Sequence, residues 1–191
     1  MAKPLNLPFD PIARAGVLWE RRWGASPAML AVTSIMRAQQ ILLAELDALL
    51  KPYDLTFARY EALVLLTFSR AGALPLSKIG ERLMVHPTSV TNTIDRLQRQ
   101  GYVARRRNPR DGRGVLAEIT ALGEEVVERA TRDLMDRDFA MRGYRDEDEL
   151  LAIFDALWPL RVAAGDFTPA DPQQADPQQS ASSAGEDSRT S

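Results

Sequence analysis

Along the first hundred residues the apolar positions return every three or four places, the period of a helix with one buried face. Residues 9–23 carry Phe9, Ile12, Val17, Leu18, Trp19 and Trp23, enough for one short helix. Two tryptophans so close together need a surface to pack on. Ser26-Pro27 then supplies an N-cap and a proline at the first helical position. Val32, Ile35, Leu42, Leu46 and Leu49 follow at helical spacings, with Met29, Met36, Leu43 and Leu50 as a neighbouring stripe. That pattern predicts a long helix with a wide apolar arc, ended by Lys51-Pro52-Tyr53. Residues 56–69 predict another helix, capped by Thr56, with Tyr60, Leu63, Val64 and Phe68 as its buried face and a break at Ala71-Gly72-Ala73. A short helix over 76–84 has Leu76, Ile79 and Leu83 on one side. After the turn Met84-Val85-His86, a further helix runs from Pro87 to Gln100. It turns Val90, Ile94 and Leu97 inward and stops at Gly101.

Beyond Gly101 the period shortens to two. Tyr102 to Arg107 and Val115 to Thr120 read as strands, and the turn formers Asn108-Pro109-Arg110-Asp111-Gly112-Arg113-Gly114 lie between them. This is a hairpin with an arginine-laden tip. Helical spacing then resumes from Leu122 to about Arg142 and from Asp146 to Arg161. The last helix has Leu150, Ile153, Phe154, Leu157 and Trp158 on one face and acids at its positive N-terminal end. From Ala164 the chain holds two copies of Ala-Asp-Pro-Gln-Gln and a serine-rich end, with Phe167 the only large apolar side chain. That composition predicts a disordered tail, because it buries too little to offset its ordering entropy.

Composition narrows the chemistry. The 191 residues include no cysteine, which removes disulfides, thiolate metal sites and thiol nucleophiles. A single histidine, His86, excludes a multi-histidine metal site, and it is read as a helix cap or turn residue. No glycine-rich phosphate loop and no metal-ligand spacing is present, so the expectation is no enzyme, no catalytic residues, no cofactor and no metal. No apolar run reaches the ~20 residues that span a bilayer, and the N-terminus does not read as a signal peptide. The expected address is the cytoplasm, with no membrane partner.

Charge changes the picture more. The formal net charge of -2 conceals a basic middle. Residues 1–54 are net +1, residues 55–120 net +6 and residues 121–191 net -9. A basic segment inside a mildly acidic chain suits a polyanion, although a solvated charged surface would look the same from charge alone.

The order helix, short helix, turn, helix, hairpin sharpens that reading, because it is the order of a winged helix-turn-helix. A helix with a polar outer face and small side chains in its first turn can enter the ~12 Å major groove of DNA. Thr88, Ser89, Asn92, Arg96 and Arg99 occupy the outer face here. Asn92 suits a bidentate pair with adenine, and Arg96 and Arg99 suit phosphates. The hairpin carries Arg105, Arg106, Arg107, Arg110 and Arg113 against one acid, Asp111, and an arginine at a loop tip can enter a narrow minor groove. Each feature alone has a plain alternative: solvent-facing helix residues, an ordinary Asp-Gly turn, or a charged edge that discourages aggregation. Their occurrence together and in order favours DNA.

The stretch from Leu55 to Gly123 resembles the MarR family of bacterial transcription factors. The resemblance rests on Pro87-Thr88-Ser89-Val90-Thr91, Asp95-Arg96-Leu97, Gly101 with Val103, Asp111-Gly112-Arg113, and Ile119-Thr120 followed by Gly123. It implies a mainly α fold with a small β-hairpin wing, and a homodimer whose terminal helices interlock. On that reading residues 1–54 and 121–163 form the dimerisation domain, 55–120 the winged helix-turn-helix and 164–191 the tail. The resemblance also implies a palindromic operator in double-stranded DNA and release by a small, often phenolic, effector. The DNA-binding residues expected are Thr88, Ser89, Asn92, Arg96, Arg99, Arg106, Arg110, Asp111 and Arg113. Arg113 would lie in the minor groove, and Asp111 would steady its basic neighbours. Trp19, Tyr53, Arg59 and Tyr60 are the effector-site candidates. Two departures stand out: Asn92 where the family often has arginine, and Gly80 where alanine is usual, which should soften its helix by ~1 kcal/mol. A winged-helix module that binds protein instead of DNA is the alternative function.

Overall fold

A computed structural model describes residues 6–108, 114–141, 143, 144 and 146–169. Seven α-helices and three short strands follow one another in the described chain: α1 (Pro11–Trp23), α2 (Pro27–Leu50), α3 (Phe57–Thr67), β1 (Ala73–Pro75), α4 (Leu76–Arg82), α5 (Pro87–Arg99), β2 (Val103–Arg107), β3 (Val115–Ile119), α6 (Ala121–Met135) and α7 (Glu147–Ala163). Short 3-10 turns cover Lys51–Tyr53 and Asp138–Ala140. The chain divides into two compact units, Met1–Arg142 and Gly143–Ser191.

Most helix starts are closed by a side-chain cap; at α3 the expected Thr56 stands at the N-cap without a cap hydrogen bond, and Asp47 Oδ1 of α2 accepts the Phe57 N–H at 2.7 Å instead. Asp10 Oδ1 accepts the Ile12 N–H at 2.8 Å, and Ser26 Oγ accepts that of Met29 at 3.3 Å, each just before a proline that has no N–H to satisfy. Thr120 Oγ1 accepts the Gly123 N–H at 3.0 Å, and Asp146 Oδ1 that of Glu149 at 2.9 Å.

One core fills the first unit. Leu46 and Leu50 from the end of α2 meet Leu63 and Leu66 of α3, Ile79 of α4, and Val90, Ile94 and Leu97 of α5. Val103, Ala117 and Ile119 close it from the sheet, and Val126, Val127, Ala130 and Leu134 from α6. The three α5 residues sit at helical spacing, and burying each contributes about 1.5–3 kcal/mol. α5 is therefore held by its own inner face.

Three expectations are corrected. The wing is not a lone hairpin: β3 lies between β1 and β2 in a three-stranded antiparallel sheet, with Leu74 and Arg105 both opposite Ala117. Gly72, at φ +62, ends the loop after α3 and turns its carbonyl to accept the Ile119 N–H at 2.8 Å. A strand of three residues is too short to show alternation. Phe68 is not in the core but 83% exposed, because α3 ends at Thr67 and buries Ala62 and Leu66 instead. The helix expected from Leu122 to about Arg142 stops at Met135. The chain then turns with positive φ at Asp138, Phe139 and Ala140, and this turn brings Ala140 into the core.

Gly80 is more than a soft spot in α4. A Cβ there would sit 3.0 Å from Val90 Cγ2 and 3.2 Å from the Val85 carbonyl oxygen, so the missing side chain lets α4 and α5 pack closely.

In the second unit α7 carries Pro159 within its length. Asp166 pairs with Arg161 at 2.7 Å, and the Phe167 ring stands edge-on to Trp158 with centroids 4.5 Å apart. Those two residues belong to the stretch that composition assigned to the tail. Residues 170–191 lie outside the described residues.

Candidate nucleic-acid interface

The candidate interface is built on α5. With Val90, Ile94 and Leu97 turned inward, the opposite face is forced outward, and Thr88, Ser89, Asn92, Arg96 and Arg99 are all exposed. Pro87 occupies the first helical position, and His86 Nδ1 accepts the Thr88 N–H at 3.3 Å. In the neutral ring that contact places the remaining proton on Nε2. His86 therefore caps the helix, as the sequence suggested. The helix ends at Gly101, φ +78, and the Tyr102 N–H returns to the Leu97 carbonyl at 3.0 Å.

The base of the wing is locked to this helix and to α6. Arg105 on β2 pairs with Asp95 on α5 at 2.7 Å. Thr120 Oγ1 donates to the Gly101 carbonyl at 2.7 Å, and its N–H donates to the Tyr102 carbonyl at 3.0 Å. Gly123 lies so close to the Tyr102 carbonyl that a side chain there would collide with it. The paired Thr120 and Gly123 of the sequence motif thus have a structural cause.

The arginines differ in how they are held. Arg99 Nε donates to the Asp95 carbonyl at 3.3 Å. Arg106 is exposed and ion-paired with Glu118 across the β2–β3 ladder. Arg96 Nη2 reaches Asp54 Oδ2 at 3.2 Å. Arg110, Asp111 and Arg113, the expected tip of the wing, lie outside the described residues.

Asp54 was not singled out from the sequence. It follows Tyr53 in the turn after α2, with φ +51. Its carboxylate accepts from Arg96 and from Gln100 Nε2 at 2.8 Å, while its carbonyl accepts from Gln100 Nε2 at 2.7 Å and Arg59 Nη1 at 2.8 Å. Tyr53 O–H donates to Asp133 Oδ2 at 2.6 Å, and that hydrogen bond, with some burial and the carboxylate's charge, raises the phenol's pKa. The Tyr53 carbonyl accepts from Tyr102 O–H at 3.2 Å. Only the spacing of 42 residues between Asp54 and Arg96 hid this junction; no local pattern carries it.

The effector candidates fall in different places. Tyr53 and Arg59 belong to the junction around Asp54. Trp19 sits on α1 with its ring 4.7 Å from that of Trp23. Tyr60 lines a cleft of about 440 Å³ between α3 and α6, with Val64, Phe68, Val127 and Arg132, and its hydroxyl lies 2.9 Å from Thr131 Oγ1. A second cleft of about 570 Å³ opens between α4 and α5, beside Leu76, Met84, Val85 and Pro87. Among the described residues no group of three or more acidic or histidine side chains converges on a point where a metal ion would sit. Among them, too, no helix is long and apolar enough to cross a membrane.

Comparison with known proteins decides the family. The MarR family model matches residues 58–115. The crystal structure of Sco5413, a MarR family transcriptional regulator from Streptomyces coelicolor, is 68% identical, with a TM-score of 0.70 over 75% of this chain and 99% of that one. The chain belongs to the MarR family. Its MarR fold also matches that of Sco3205, a MarR family transcriptional regulator from the same organism crystallised in complex with DNA. That likeness is one of fold: 23% identity and a TM-score of 0.66 over 78% of this chain and 92% of that one. Among curated sequences, the HTH-type transcriptional regulator YhbI of Bacillus subtilis is 35% identical over 85 residues, 44% of this chain and 54% of YhbI. The match thus spans about half the length of that relative. The family-model match runs from the start of α3 to the first residue of β3.

Proposed function

We propose that this protein is a sequence-specific DNA-binding transcriptional regulator, without enzymatic activity, acting in the cytoplasm as a homodimer on a palindromic operator. The observation that carries the reading is the exposed polar face of α5, capped at its N-terminus and braced by the wing. Family membership supports it. Thr88, Ser89 and Asn92 meet base edges in the major groove; Arg96, Arg99 and Arg106 meet phosphates; Arg113 enters the minor groove, steadied with Arg110 by Asp111. Two copies place their recognition helices about one DNA turn, ~34 Å, apart, and this spacing reads an inverted repeat. A small aromatic effector between the helices would act by binding one spacing better than the other. The cleft beside Tyr60 is the place in this chain that supports such a site, with Trp19, Tyr53 and Arg59 as the remaining candidates.

The test is selection of bound fragments from genomic DNA by the purified protein, followed by binding titrations over a salt series. A selected inverted repeat, bound more tightly than a scrambled duplex and with affinity falling steeply with salt, is the expected result. Asn92→Ala should relax sequence choice more than it lowers non-specific affinity, and Arg113→Ala should weaken binding most at A·T-rich flanks. Indifference to every duplex at low salt overturns the reading in favour of a protein-binding module.

A further inference from the structure

The α2–α3 turn holds an acid against the DNA-facing side of α5. Arg96 lies one helical turn after Asn92, on the face assigned to DNA, yet its guanidinium already has an anion: Asp54 Oδ2 at 3.2 Å. The pair is open to solvent, with 48% of the Arg96 side chain and 64% of that of Asp54 exposed, so a phosphate oxygen can reach the same guanidinium. The acid itself is well anchored. Gln100 Nε2 bridges its carboxylate and its carbonyl, and Arg59 holds the carbonyl at 2.8 Å. The preceding residue is tied to α6 through Tyr53 O–H and Asp133 at 2.6 Å, and to the foot of β2 through Tyr102. Asp54 therefore stays in place when Arg96 turns away.

We infer that Asp54 is a built-in competitor for the DNA backbone. Its carboxylate stands in for a phosphate on Arg96, and tight binding requires Arg96 to exchange this carboxylate for a phosphate. The inference rests on the DNA-binding reading above. It gives the turn after α2 a role in setting affinity: whatever moves Asp54 toward or away from Arg96 changes the number of cations α5 offers to DNA. The exchange has a salt signature. A phosphate neutralised by Arg96 releases a counterion, while the abandoned carboxylate takes up a cation from solution, so the wild-type salt slope is shallower than its phosphate contacts alone would give.

Asp54→Asn keeps the side-chain shape and a residue that tolerates positive φ, and it removes the charge. Binding of the selected duplex, followed by fluorescence anisotropy over a salt series, is compared for wild type, Asp54→Asn, Arg96→Ala and the double variant. Asp54→Asn should bind about two- to fivefold more tightly at low salt, the worth of an exposed ion pair, with a log–log slope steeper by up to ~0.9. In the Arg96→Ala background the same change should do nothing. A loss of negative charge acting at long range would strengthen binding in both backgrounds, and that result overturns the inference. So does Asp54→Asn affinity equal to or weaker than wild type with an unchanged circular dichroism spectrum. Should Asp54→Asn fail to fold, Asp54→Gly, which also accepts this backbone, takes its place in the same cycle. Wild-type protein that binds no duplex defeats the DNA-binding reading itself; wild type that binds while the cycle shows no coupling defeats only the competitor.

Discussion

The two halves of α2 behave as different proteins. Its C-terminal half buries Leu46 and Leu50 in the core with α3, α5 and α6, and those residues need nothing outside the chain. Its N-terminal half, paired with α1, leaves Leu30, Val32, Ile35, Met36, Val17, Leu18, Trp19 and Trp23 exposed, and α1 buries no residue at all. Yet α1 and α2 pack closely: a Cβ on Gly16 would fall 2.7 Å from Leu30 Cδ2. The core that holds α3 to α6 is thus closed within one chain, whereas the α1–α2 pair presents an apolar surface of a kind monomers rarely leave uncovered. A second copy is the cover that the proposed homodimer supplies.

The sharpest way to break this contrast is to damage each region and read stability and assembly separately. Leu97→Ala, in the self-sufficient half, should cost about 3–5 kcal/mol in urea unfolding, since Leu97 is fully buried and its neighbours are fixed by the sheet and by α3. An effect below about 1 kcal/mol would mean that the core around α5 is not load-sharing as described. Replacing Trp19 and Trp23 together by alanine should weaken self-association in sedimentation equilibrium by about 30-fold or more, as buried aromatic anchors do. A wild-type chain that is monomeric at micromolar concentration would remove the reason for the comparison.

Smaller effects refine it. His86→Ala removes the imidazole acceptor of the Thr88 N–H and should cost about 0.5–1 kcal/mol of folding stability. The same change should lower DNA affinity by fraying the first turn of α5, and unchanged amide exchange at Thr88 and Ser89 would argue against the cap. The smallest effect concerns Glu61. It lies on α3 and is half-buried, and this burial raises its pKa above the ordinary 4.5. A carboxyl raised in the folded state favours folding while protonated, and the contribution is lost as pH rises through the folded pKa. Glu61→Gln should therefore slightly stabilise the protein at pH 7, and the gain should fade as pH falls through the carboxylate range. A gain that persists in acid would point to packing instead of charge.

Much of the fold was legible because it rests on local rules. The cap at Ser26, the stop at Gly101 and the inner face of α5 are short-range patterns with one physical meaning each, whereas Thr56 holds the N-cap position of α3 without capping it and Asp47 of α2 does so instead. What escaped was decided at long range. β1 became a strand only because β3 offered it a partner, and Phe68 was left outside because α3 ended a residue too early. Of the interface, the outward set on α5 could be read from helical period. The holding of Arg96 by Asp54 and of Arg105 by Asp95 could not.

The sequence by itself determined which segments coil, where they begin, and which side of α5 is polar, because capping and hydrophobic period act within a few residues. Tertiary structure alone decided which charges are already spoken for and which apolar faces stay open. Those outcomes depend on what the folded chain brings within a few ångströms, and neighbours in space such as Asp54 and Arg96 leave no mark on neighbours in sequence.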